Sequence, residues 1–333
     1  MAAEPVTTPA PAARIARSRE RAPSGGWRTI AAKELSDHLQ SVRFIVLLIV
    51  IAIAAIVPMY FVSTAITANA PELAGQPALF LVLFIGASQQ AGGIPAVEFA
   101  ALFIPLVGIA FGFDAINSER SQGTLSRLLA QPIHRDDVVN GKFAAGIAVI
   151  AMMMTALVIL ITALGIVRLG IIPSVEELAR VIVWLLTTIL YAGLWLAFAL
   201  LLSVAIRGAA SAALVGFGTF LLPLAANALF PASTTGTGDQ YFAATTAQQL
   251  FLRISPPQLY QDVVTAVLNP SARGMLGPAN LGQYVSGQQQ IPSLLTLDQS
   301  ILLVWPQLVA LVALTVVTFA LAYVLFLRQE VRA

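Results

Sequence analysis

No cysteine occurs among these 333 residues, and only two histidines do, His38 and His134. The first absence excludes a disulfide framework, a thiolate metal site and a thiol nucleophile. The second leaves no cluster from which a histidine metal centre or general base could be built, because both histidines lie outside the apolar runs. No catalytic, metal-binding or cofactor-binding residue is expected in this chain, and no nucleic-acid partner. Charge is scarce too, at 10% of residues, against about 25% in soluble globular chains.

What fills the chain instead is apolar: 58% of it is hydrophobic. A soluble core could not hide that much apolar surface, and lipid is the simplest solvent for it. Residues 1–26 differ from the rest. They are rich in Pro, Ala, Ser and Arg without apolar period, and read as a disordered basic tail. They do not read as a signal peptide, since the first apolar run begins only at Phe44 and is long enough to span.

Trp27 to Arg43 carries Trp27, Ile30, Ala31, Leu35, Leu39 and Val42 at helical spacing, with Arg28, Lys33, Ser36, Asp37 and Gln40 on the other face. Such a helix either lies flat at the headgroups, anchored by Trp27, or simply extends the first span. Six runs are each long enough to cross a membrane at about 20 residues per span. They are 44–64, 94–114, 143–167, 181–205, 209–230 and 301–326, the second interrupted by Pro95, Gly108 and Gly112. The stretch 77–87 is too short to span and reads as interfacial or re-entrant. Ser174 with Glu177 fits a capping box opening the fourth span. The expected fold is therefore all-α and polytopic, with 27–333 as one domain.

Orientation follows from Lys and Arg, which collect on the cytoplasmic side of spans. Fourteen of the 18 lie before span one, between spans two and three, after span four, or at the chain end. Both termini and the 114–142 loop are thus expected in the cytoplasm, and the 231–300 loop outside, folded into short helices such as 259–268.

The 114–142 loop is the most informative stretch. Leu125, Leu128 and Leu129 form an i, i+3, i+4 stripe on a short helix that Pro132 must end. A helix of two turns is unstable alone and needs a surface. Periodicity leaves open whether that surface is another protein or the membrane and neighbouring spans. Glu119, Arg120, Arg127 and Arg135 can orient either docking.

The run Phe113-Asp114, Glu119-Arg120, Gly123-Thr124-Leu125, Leu128-Leu129, Pro132, Arg135 and Gly141-Lys142 resembles the cytoplasmic signature of ABC type-2 permeases. The branch it most resembles includes the permease of the nitrous-oxide-reductase maturation system. The 27–43 segment is similar to that family's elbow helix, and Ser255-Pro256-Pro257-Gln258-Leu259-Tyr260 to a recurrent outer-loop feature of the branch. The resemblance implies a permease subunit of the plasma membrane, paired with a second permease copy and two ATP-binding subunits. Glu119, Gly123, Thr124, Leu125, Leu128 and Leu129 would contact the ATPase as a coupling helix. Trp27, Ile30, Leu35 and Leu39 would form the elbow. Export is the family tendency. ATP and magnesium would be held by the partner: the only Gly-Lys pair, Gly141-Lys142, lacks the spacing of a phosphate-binding loop.

Other readings fit less well. An intramembrane protease is suggested by Glu176-Glu177 and Arg180, but the spacing is one residue short and no histidine is at hand; these three read as a wet first helical turn. An ion-coupled carrier needs ionisable groups at mid-membrane. The span centres offer only Thr155, Thr162, Tyr191, Thr219 and Asn227. A non-transporting transmitter of force stays compatible with the sequence. Ala209, Ala213, Gly216 and Gly218 suit either a dimer seam or packing within one subunit. An uncharged pathway favours a hydrophobic or amphiphilic cargo.

Overall fold

The structure is a computed structural model and describes residues 26–68, 79–85, 96–124, 134–229, 255–269 and 295–329. Regular structure among them is entirely helical. In chain order the helices are α1 (Gly26–Gln40), α2 (Val42–Ala68), α3 (Val82–Ile85), α4 (Ala96–Gly112), α5 (Asn117–Ser121), α6 (Arg135–Leu169), α7 (Val175–Ala205), α8 (Ala209–Leu229), α9 (Pro256–Leu268), α10 (Leu297–Leu303) and α11 (Trp305–Arg328). A 3₁₀ turn, Leu79–Leu81, precedes α3.

Among the described residues, five stretches are long and apolar enough to cross a membrane: Val42–Ala68, Ala101–Ser121, Arg135–Leu169, Val175–Ala205 and Trp305–Arg328. They match the expected spans one to four and six. The expected fifth forms α8, whose described apolar part, Ala209–Leu222, is shorter than a span.

Two boundaries differ from expectation for local reasons, and a third decides between the two readings of residues 27–43. The third helix starts at Arg135 rather than near Phe143, because Asp137 turns back to accept from the His134 amide at 3.2 Å. Two acids, Asp136 and Asp137, then sit where the helix dipole favours them. The last apolar run breaks at Val304, since Pro306 sits in the first turn of α11 and cannot continue α10. The break between α1 and α2 falls at Ser41, whose hydroxyl donates to His38 O at 2.6 Å and accepts from the Phe44 amide at 3.2 Å. Hence α1 is a separate helix, not an extension of α2.

Helix α7 is the post around which α4, α6, α8, α9 and α11 pack. Gly108 does not interrupt the second helix; it lets α4 touch α7. A Cβ there would lie 2.6 Å from Ala192 O. Gly216 of α8 likewise packs inside the chain, with Ile109 3.3 Å from where its Cβ would stand, whereas no described residue lies within 4 Å of the same position at Gly218.

At one pole, α9 and the 79–85 turn close over α7. Phe80, Leu83 and Phe84 are fully buried, so this stretch is a packed insertion. Tyr260 of α9 stacks on Tyr191 at 4.4 Å between ring centres, and its hydroxyl lies 2.9 Å from Thr188 and accepts from Trp184 Nε1 at 3.2 Å. Burial pushes the Tyr260 phenol up to about 12. Arg180 overturns the expectation of a wet first turn for α7: it is 1% exposed. Its guanidinium donates to Glu176, Ser300 Oγ and the carbonyls of Val267 and Leu295. Planar, five-donor geometry lets one arginine satisfy carbonyls from both flanking segments at once. Glu177, besides capping with Ser174 at 2.8 and 3.2 Å, accepts from the Phe80 amide at 3.1 Å.

Candidate functional site

At the other pole, α1, α5, the start of α6, the end of α7 and the end of α11 converge. The segment 113–124 leaves α4 here, and α6 returns the chain after 134. The contact between them begins at Gly141. A Cβ there would stand 2.7 Å from Ile30 Cγ2 and 2.9 Å from Trp27 O, so only glycine lets α1 lie this close to α6. Ile30 is buried in an apolar cluster with Ile116, Val138, Val139, Leu200 and Val204. Leu35 is partly buried, while Trp27 and Leu39 remain exposed. The apolar stripe of α1 is therefore shared between α6 and the surroundings.

Next to Gly141 stands Lys142, with its side chain only 5% exposed. The ammonium lies 3.1 Å from Glu34 of α1 and 2.8 Å from Glu119 of α5. A buried ammonium is costly unless paired, and two carboxylates from separate elements meet that need. Burial alone would raise the Glu34 carboxyl, but Lys142 and then Lys33 hold it below its usual value. Lys33, 3.1 Å from Glu34 and 3.0 Å from Asp37, is raised: burial lowers it, and the two acids outweigh that.

A second pair joins the starts of α2 and the loop. Arg43 donates to both oxygens of Asp114 at 2.9 and 2.8 Å and to Ala110 O at 3.3 Å. A third set ties the loop to α7 and α11. Ser203 Oγ accepts from the amides of Ile116 and Asn117 at 3.1 and 3.2 Å, and Asn117 Nδ2 donates to Ile206 O at 3.0 Å. Gln329 accepts from Arg120 at 2.7 Å, accepts from Arg135 through its backbone oxygen at 3.2 Å, and donates to Val204 O at 2.7 Å. The ends of four helices are thus hydrogen-bonded to the root of one loop.

Of the loop residues singled out from sequence, Gly123 takes φ +67, a left-handed conformation that favours glycine. Thr124 is exposed, and its hydroxyl donates back to Glu119 O at 3.3 Å rather than capping forward. Glu119 differs more. It was expected to face a partner, yet its carboxylate is turned inward onto Lys142, with Oε2 buried and unpartnered among the described residues. Leu125, Leu128 and Leu129 lie outside the described residues. Sequence reasoning missed Lys142, Glu34, Arg43 and Asp114 as a set. The available signal was a lysine heading an apolar run, since such a charge must find partners.

No group of three or more metal-ligating side chains is gathered among the described residues. The ion pairs and hydrogen bonds of this pole fasten the loop root to α1, α6, α7 and α11. No curated protein matches the chain. The family model described as ABC-2 family transporter protein matches residues 28–331, which takes in the described elements of both poles except the first two residues of α1. The chain belongs to the ABC-2 transporter family, as a membrane permease subunit.

Proposed function

We propose that this chain is the six-span permease half of an ATP-driven exporter in the plasma membrane, with both termini and the 113–142 loop in the cytoplasm. ATP is hydrolysed by separate ATP-binding subunits, two copies of which serve a pair of permeases. The likeness of 113–142 and 255–260 to the nitrous-oxide-reductase maturation permeases makes that branch the preferred one. The apolar spans favour a hydrophobic or amphiphilic cargo.

One observation carries the reading: the buried Lys142 bridge fastens the loop root, through Glu119, to α1 and α6 together. A partner seated on Thr124, Leu125, Leu128 and Leu129 then pushes on a handle whose base cannot yield alone. Its displacement passes to α6 and α1 through Lys142, and to α7 and α11 through Ser203 and Gln329. Packed helices respond by switching between discrete arrangements. Moving such an equilibrium from 1:99 to 99:1 takes about 5.5 kcal/mol of differential binding, which nucleotide-driven closure of a partner can supply.

The test is the triple variant Leu125→Ser, Leu128→Ser, Leu129→Ser. The proposal expects loss of co-purification with the ATPase and of its stimulation. Retention of both would sink it. Flux of cargo into reconstituted vesicles distinguishes a transporter from a transmitter of force.

A further inference from the structure

At the α1–α2 elbow lies a cleft of about 440 Å³ that shares Glu34 and Lys142 with the force-transmitting bridge and whose space that reading leaves unassigned. Its size falls within the roughly 300–1,000 Å³ of small-ligand sites. The floor is apolar, with Phe111 and Leu200, and the rim carries Glu34, Asp37, Arg43 and Lys142. A charged rim of this kind fixes the headgroup of an amphiphile, and the apolar floor shields that contact from water.

The rim has capacity to spare for both signs of charge. Glu34 bonds both lysines through one oxygen, Oε1, and Asp37 meets Lys33 through Oδ2 alone. Each keeps an acceptor oxygen. Lys142 spends two of its three hydrogens on Glu34 and Glu119, and Arg43 spends three of its five on Asp114 and Ala110, leaving Nε–H and one hydrogen of Nη2. Ser118 adds a hydroxyl to the same wall. These acids and bases are already paired with one another, so a lone cation or lone anion would add an unbalanced charge to the rim. A zwitterion adds none and meets both signs of spare capacity.

The mouth supplies the other half of the argument. Val42 lines the cleft and is 75% exposed. From it an exposed apolar strip, Ile45, Val46, Ile49 and Ile53, runs along α2 at helical spacing. An acyl chain attached to a headgroup in the cleft would follow that strip. A primary ammonium has three N–H groups for carboxylates, whereas a quaternary one has none and calls for an aromatic cage.

We infer that this cleft binds a phospholipid with a primary-amine zwitterionic headgroup, the ammonium held by Glu34 and Asp37 on α1 and the phosphate by Arg43 on α2. Bound so, the lipid bridges the Ser41 break and sets the angle of α1. The inference concerns the isolated chain without nucleotide, so its outcome is separable from that of the ATP-driven reading.

The experiment is native mass spectrometry of the delipidated chain titrated with dioctanoyl phosphatidylethanolamine, phosphatidylcholine or phosphatidylglycerol, and with soluble phosphoethanolamine. The ethanolamine lipid is expected to bind at least about tenfold more tightly than the other three probes. Asp37→Asn, at an exposed position whose ion pair with exposed Lys33 adds little to stability, should remove most of that preference while leaving the melting temperature of the lipid-free chain nearly unchanged. Equal binding of the three lipids overturns the inference. So does an unchanged preference in Asp37→Asn, or soluble phosphoethanolamine binding as well as its lipid.

Discussion

Lys142 and Glu119 meet at 2.8 Å across the two ends of one loop, the first at the head of α6 and the second on α5. The loop between them is thereby closed at its base by a charge pair that solvent scarcely reaches. Glu34 completes the bridge from α1. Removing one partner of such a buried set leaves the others uncompensated, at a cost of about 3–5 kcal/mol.

Lys142→Met is accordingly expected to lower the melting temperature of the purified chain and to uncouple ATPase stimulation from the permease. Lys142→Arg, which keeps the charge, should retain part of both. Thermal unfolding in detergent alongside ATPase assays of the assembled complex measures the two effects. A neutral outcome in Lys142→Met would show that the bridge carries no load.

Gly141→Ala pushes a methyl group against Ile30 and the Trp27 carbonyl. The backbone oxygen cannot swing aside as a flexible side chain does, so α1 must lift. The expected destabilisation is about 1–3 kcal/mol, the usual range for overpacking. Faster tryptic cleavage at Arg28 and Lys33 reports the lifting directly.

Arg180→Lys tests the opposite pole. A single ammonium cannot reach the Val267 and Leu295 carbonyls, Ser300 and Glu176 together. Each buried acceptor left without a donor costs about 1–3 kcal/mol. Hydrogen exchange should rise in α9 and α10 while α1 and α6 keep their protection. Tyr260→Phe is the milder companion: it keeps the stack on Tyr191 but strips the Trp184 Nε1 of its acceptor, for about 1–2 kcal/mol.

Acid should loosen the elbow. Burial pushes His38 below its ordinary 6.5, with Glu34 and Asp114 opposing and Lys142 and Arg43 reinforcing the shift. A depressed folded value means that the unfolded chain takes up the proton first. Stability is therefore full above 6.5 and falls as the pH drops below it. Glu34, held below its ordinary 4.5, adds a second loss further down as it is protonated. Melting temperature against pH should show the upper step, and His38→Gln should flatten it without touching the lower one.

Much of this could be read from the chain itself. Run length and the Ser174–Glu177 box located α7, because a span and its cap are local properties. Arg180 was not legible: a helix-start arginine looks solvated until the carbonyls of residues 267 and 295, far along the chain, are brought over it. Nor was the inward turn of Glu119, which depends on Lys142 arriving by way of α6. Lone charges beside apolar runs marked these positions, but only tertiary contact names their partners.

The account places the 113–142 loop in the cytoplasm, against an ATP-hydrolysing partner, and the absence of native cysteine makes this directly measurable. Leu125→Cys is the only thiol in its variant. Treated with a membrane-impermeant maleimide, it should label in inside-out vesicles, stay unlabelled in right-side-out ones, and be protected when the ATP-binding subunit is added. Labelling from the outside, or equal labelling with and without that subunit, would contradict the account.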